Sequence, residues 1–133
     1  MELQTYTGKY IDSFLLNYTI FVHDLPELAE DWSTFDPEEQ SDYRSELMQV
    51  WGNRKVLGAL FRAKRLPGQQ VNEMATLDRM LLQQAPMMKQ CFDMELGQLL
   101  AIFRWGSPLV ESRQPVAVEV EPAFLNQMAL SFA

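Results

Sequence analysis

Apolar residues in this chain recur at three- and four-residue steps, and that period commits most of it to helix. Leu3, Tyr6, Tyr10, Phe14, Tyr18, Phe21 and Val22 fall on one face of a helix over residues 3–22. The β-branched residues of the same stretch (Thr5, Thr7, Ile11, Thr19, Ile20) oppose it only weakly. Asp24 and Pro26 then supply a cap and a first-turn proline, which predicts a separate short helix in LPELAEDW.

The strongest start signal is FDPEEQ. Asp36 can cap the first backbone N–H groups, and Pro37 sits where its missing N–H costs nothing. Glu38 and Glu39 lie at the positive end of the dipole, and Asp36 with Glu39 has capping-box spacing. Gly52-Asn53 offers a break, but Leu47, Val50, Leu57, Leu60 and Phe61 stay in phase across it. The spacing therefore predicts a continuous or gently kinked helix from Pro37 to about Arg65, closed by a Pro67-Gly68 turn.

Val71, Met74, Leu77 and Leu81 predict a helix over residues 70–84 that Pro86 breaks. Another is expected over residues 87–105, restarting near Asp93, with Gly106 in a left-handed position and Pro108 blocking extension. Residues 107–121 are expected to be loose. VAVEVE alternates like a strand, but the chain offers no partner for it, and a lone strand is not stable. AFLNQMALSF reads as a short closing helix. The expected fold is all-α, a compact single domain over residues 1–133 with five or six helices and an extended segment near 107–121.

A chain of 133 residues, 47% of them apolar, can bury a core without staples. Cys91 is the one cysteine, which excludes an intrachain disulfide and points to a reducing compartment. MELQTYTGKY lacks the pattern of a secretory signal, and FLLNYTIFV is too short and polar to span a bilayer. A cytoplasmic protein without membrane contact is expected.

The same composition excludes several chemistries. With His23 as the one histidine, neither a Cys/His zinc site nor a di-iron Glu-x-x-His bundle can be assembled within the chain. Any Ser-His-Asp or Cys-His site would need His23, which reads instead as a histidine at a helix end, facing the dipole. No phosphate-binding glycine motif occurs. Glu38, Glu39, Asp42 and Glu46 read as a solvated helix start rather than a hard-metal site. They could also serve as a counter-surface for a second partner or for self-association. Met87, Met88, Cys91 and Met94 have soft-ligand spacing, but methionine at helical period is first of all core filler. Tyr6, Tyr10, Phe14 and Tyr18 read as core, with hydroxyls reaching the rim. No cofactor, no metal and no catalytic residue are expected.

Charge is distributed unevenly. The net charge is −7, yet residues 50–66, VWGNRKVLGALFRAKRL, hold five bases and no acid. At about 100° per residue, Trp51, Arg54, Lys55, Gly58, Arg62 and Arg65 share one arc beside the apolar face. Gly58 leaves a gap there for another backbone to approach. One reading is a solvated face paired with the chain's own acids at residues 27–46. Another is a docking surface for an acidic protein partner, with Trp51, Arg54, Lys55, Arg62 and Arg65 as the contacts. The third is nucleic-acid contact, with Trp51 stacking on a base, which the acidic first third of the chain opposes. The function expected from sequence is a non-enzymatic interaction or regulatory module, with a protein as partner. The alternative is a nucleic-acid-associated regulator using the same stripe. Eight methionines and the high apolar content also leave room for a homodimer face.

Overall fold

The computed structural model describes residues 2–111, and side chains from Tyr10 to Val110. Six α-helices account for most of these residues: α1 (Glu2–Asp31), α2 (Pro37–Arg62), α3 (Gly68–Gln83), α4 (Ala85–Phe92), α5 (Leu96–Leu100) and α6 (Pro108–Glu111). Two 3-10 turns, Trp32–Thr34 and Ala101–Trp105, complete them, and no strand occurs among the described residues. The fold is all-α. VAVEVE (116–121) and AFLNQMALSF (123–132) lie outside the described residues.

The first helix is longer than its sequence suggests. It runs through Pro26 to Asp31, where two helices were expected. Its buried residues explain why. Ile11, Leu15, Tyr18, Val22, Leu25, Ala29 and Trp32 are spaced alternately by four and three residues, an unbroken heptad seam. Pro26 lies off that seam. Its missing N–H leaves the Val22 carbonyl without a helical donor, a penalty of about 3 kcal/mol. Ending the helix there would unseat Leu25, Ala29 and Trp32, and each large apolar side chain kept buried contributes roughly 1.5–3 kcal/mol. The seam outweighs the proline. Because the helix continues, His23 stands exposed in its middle, not at a helix end. The seam is also rotated from the expected stripe. Tyr18 is fully buried, whereas Tyr10 and Phe14 stack at its half-buried edge with ring centroids 6.0 Å apart.

The second helix starts and continues as expected. Asp36 Oδ1 accepts from the Glu39 N–H (2.8 Å), and the Glu39 carboxylate accepts from the Asp36 N–H (3.3 Å), a full capping box. The helix passes through Gly52 without interruption. It ends on a residue the sequence did not flag. Lys64 takes the left-handed conformation (φ 59°), its N–H bonds the Phe61 carbonyl, and the Arg65 N–H bonds the Leu60 carbonyl. This is a Schellman stop with lysine in the place glycine favours.

Contacts at Trp32/Tyr43, Phe21/Trp51 and Tyr18/Arg54 show that α1 and α2 run antiparallel. Asp12/Gln70 and Tyr18/Asp78 place α3 along α1 in the same direction. α4 packs against the far end of α1, where Gln90 donates to the Ala29 carbonyl (2.8 Å). It stops at Asp93, left-handed at φ 54°, and α5 restarts from a Glu95/Gln98 capping box. Residues 107–111 depart from the loose segment expected for 107–121. Pro108 opens α6 rather than blocking a helix, because its fixed φ suits a first turn.

Two glycines of α2 give opposite expectations. A Cβ on Gly52 would meet nothing within 4 Å, so Gly52→Ala should stabilise by roughly 0.5–1 kcal/mol. A Cβ on Gly58 would overlap the Trp105 carbonyl, so Gly58→Ala should cost about 1–3 kcal/mol. Urea denaturation of the two variants measures both.

Candidate functional site

The basic stripe divides into an inner and an outer part. Arg54 is fully buried, so it is not a surface contact, and that expectation is corrected. It occupies a heptad position of α2 between Val50 and Leu57, pointing into the space between helices. There it meets Asp78, also fully buried, from the apolar face of α3.

The contacts around Asp78 form a closed set. Arg54 Nε donates to Oδ1 (3.0 Å) and Nη2 to Oδ2 (2.7 Å), a bidentate fork. Tyr18 Oη donates to Oδ1 (2.7 Å) and Ser107 Oγ to Oδ2 (2.6 Å). Arg54 Nη2 also donates to the Gly106 carbonyl (2.7 Å), and Ser107 Oγ accepts from the Leu109 N–H (3.3 Å). The Arg54 guanidinium carbon lies 6.0 Å from the Tyr18 ring centroid. Its Nη1 has no partner and lies against Gly58, in the space a Cβ there would need.

Electrostatics follow from this geometry. Burial pushes the Tyr18 phenol well above its ordinary pKa, and the Asp78 charge adds to the push. For Arg54, burial favours loss of the proton, but the Asp78 charge and hydrogen bonds outweigh it and the pKa is raised. The Arg54 guanidinium is held charged, and the Tyr18 phenol is held neutral as a donor. With Tyr18, Arg54, Asp78 and Ser107 all at 0% exposure, no substrate reaches them as folded. The arrangement clamps helices.

The rest of the stripe lies outside the clamp. Trp51 is half-buried, its ring between Phe21 (6.3 Å) and Trp105 (6.5 Å). Arg62 is exposed, and its Nη1 donates to the Arg104 carbonyl (2.6 Å). Lys55 and Arg65 are exposed. The face through Trp51, Gly58 and Arg62 is thus partly covered by the chain's own 101–106 segment, which leaves Arg62 exposed. Its Trp105–Gly106 backbone fills the gap at Gly58. The buried ion pair joins Arg54 to α3, not to the acids of residues 27–46.

Other candidates have structural placements. Met88 and Cys91 are buried, Cys91 beside Ala29 and Trp32, and burial pushes its thiol pKa up. Glu38, Glu39, Asp42 and Glu46 are exposed on the first turns of α2. Among the described residues, no three His, Cys, Asp or Glu side chains are grouped to hold a metal ion, and no helix is long and apolar enough to cross a membrane.

Removing the acid from the clamp leaves a buried, unpaired guanidinium, so Asp78→Ala should cost about 3–5 kcal/mol. Arg54→Met/Asp78→Leu should cost clearly less than Asp78→Ala alone, and equilibrium unfolding of the variants decides it. Tyr18 gives a pH signature. Below about pH 10 its phenol is neutral whether the chain is folded or not, and stability is unaffected. Above that, the unfolded chain releases the proton and the folded one resists. Stability should therefore fall as pH rises, by up to about 1.4 kcal/mol per pH unit, and Tyr18→Phe should flatten the fall.

No protein-family model, curated protein or solved structure matches the chain, so function has to be read from the surfaces this fold presents.

Proposed function

We propose that this chain is a non-enzymatic protein-interaction module that docks an acidic surface of a partner protein through the basic end of α2. The contacts are Lys55, Arg62, Lys64 and Arg65, with Arg104 beside them. Trp51 contributes its half-exposed edge, and Arg54 contributes only by holding the helix in place. The observation that carries this reading is charge segregation. All five of these cationic residues are exposed, and no acidic residue occurs between Glu46 and Glu73. Cations near a helix C-terminus complement its dipole. That accounts for Arg62, Lys64 and Arg65 but not for Lys55, two turns before Arg62.

Two features favour docking over catalysis and over nucleic acid. The best-organised polar group, the Asp78 clamp, is sealed. Trp51, the side chain that would stack on a base, is already packed against Phe21 and Trp105.

The test is affinity capture from native-host extract with the wild type and Lys55→Glu/Arg65→Glu, two exposed positions away from the clamp, with nuclease treatment in parallel. A protein retained by wild type, resistant to nuclease and lost by the folded variant is the expected outcome. Material that disappears with nuclease would move the reading to nucleic acid. Equal recovery by both baits would reduce the surface to a solvated helix end.

A further inference from the structure

The opposite end of the α1–α2 pair holds a groove of about 240 Å³ with a different chemistry. Asp24, Glu27 and Asp31 of α1 and Glu46 of α2 form its rim. Apolar side chains lie among them. Phe35 and Tyr43 line the groove, stacked with centroids 5.2 Å apart, and so does Ile20, an aliphatic side chain left 46% exposed between the acids. Beyond Ile20 and Glu46 a smaller depression carries the valley on to Asn17 and Asn53. From Asn17 to Asp31 the valley follows α1 for about 21 Å, the length of four helical turns.

We propose that this valley seats an amphipathic, basic helical segment of a partner protein. Its apolar side chains would cover Ile20, Phe35 and Tyr43, and its lysines or arginines would meet the four carboxylates. The argument is charge and shape complementarity. Phe35 and Tyr43 also pack against Trp32, but that packing does not cover Ile20, which stands 46% exposed among the four carboxylates. A cation is favoured twice here, by the acids and by the aromatic faces. Among the described residues, none of the four carboxylates is paired with a cation of this chain. The occupant is helical because the valley follows α1 for about four turns and presents Ile20, Phe35 and Tyr43 along it, a length that takes one face of an amphipathic helix. This surface is separate from the basic end of α2, and the two readings fail independently.

Fluorescence anisotropy with two labelled peptides of the same leucine and lysine composition tests it. One peptide gathers its leucines on one helical face and the other scatters them. The wild type should bind the amphipathic peptide about tenfold tighter than the scattered one, or 1.4 kcal/mol. Glu27→Lys/Glu46→Lys and Ile20→Asp should each remove about tenfold of that affinity. Asp12→Lys/Glu73→Lys, with the same charge change outside the groove, should leave most of it, and so should Lys55→Glu/Arg65→Glu. All these positions are exposed, and circular dichroism checks that the variants fold. Equal binding of both peptides, or equal weakening by the two acid-to-lysine variants, would overturn the proposal in favour of simple attraction to an acidic protein. So would a dimer of the protein alone that Glu27→Lys/Glu46→Lys dissociates, since the occupant would then be a second copy of the chain.

Discussion

A carboxylate sealed from water is the constraint around which this structure is arranged. Asp78 projects from the apolar face of α3, where an isolated charge would be prohibitively costly. Each of its oxygens receives two hydrogen bonds, from Tyr18 on α1, Arg54 on α2 and Ser107 before α6. Arg54 spends its second Nη2 bond on the Gly106 carbonyl, which ties the end of the 101–105 turn to the same point. The partners are separated by 24 to 60 residues in sequence. Satisfying the charge therefore requires all three long helices and the 101–107 segment to be docked at once. Apolar packing tolerates small slips between helices, but a four-bond carboxylate does not. The clamp fixes the relative register of α1, α2 and α3.

This arrangement changes how the charged residues should be read. A basic helix face usually meets water or a partner. Here part of it faces inward and holds the chain's own 101–107 segment, through a guanidinium at Arg54, a backbone contact at Gly58 and a carbonyl bond at Arg62. What remains outside is sorted by sign along the α1–α2 pair. Carboxylates gather where α1 ends and α2 begins, and cations gather where α2 ends. Antiparallel packing makes this segregation, because it sets the acidic end of α1 beside the acidic start of α2.

Much of the fold could be read before the structure. FDPEEQ marks the start of α2 because capping is local chemistry, satisfied within four residues. Continuity through Gly52 follows from the phase of Leu47, Val50 and Leu57, which one glycine cannot disturb. Gly58 announces a close backbone approach, and Trp105 supplies it. The failures are equally physical. Pro26 has a first-turn pattern, and only the heptad seam from Ile11 to Trp32 shows that the helix must run on. Arg54 counted as surface because arginine usually is. Its place between Val50 and Leu57 was the available signal, as were Asp78 beside Leu77 and Leu81 and Tyr18 between Leu15 and Val22. Three polar residues on three apolar seams announce one another. Lys64 gave no signal, since its left-handed turn is imposed by the Leu60 and Phe61 carbonyls. The acidic groove was only half visible, through Glu46, because its other carboxylates come from a helix distant in sequence.

Where α2 crosses the end of the 101–105 turn, the two backbones touch with no side chain between them. A Cβ on Gly58 would strike the Trp105 carbonyl, and one on Gly106 would strike the carbonyl of Gly58. The two glycines thus behave as a single mutational unit. A larger residue at either one pushes the segments apart, which draws the Gly106 carbonyl away from Arg54, and a change at the other cannot undo it. Evolutionary drift can reshape the charged ends of this molecule one residue at a time, but this crossing has no small steps leading away from it.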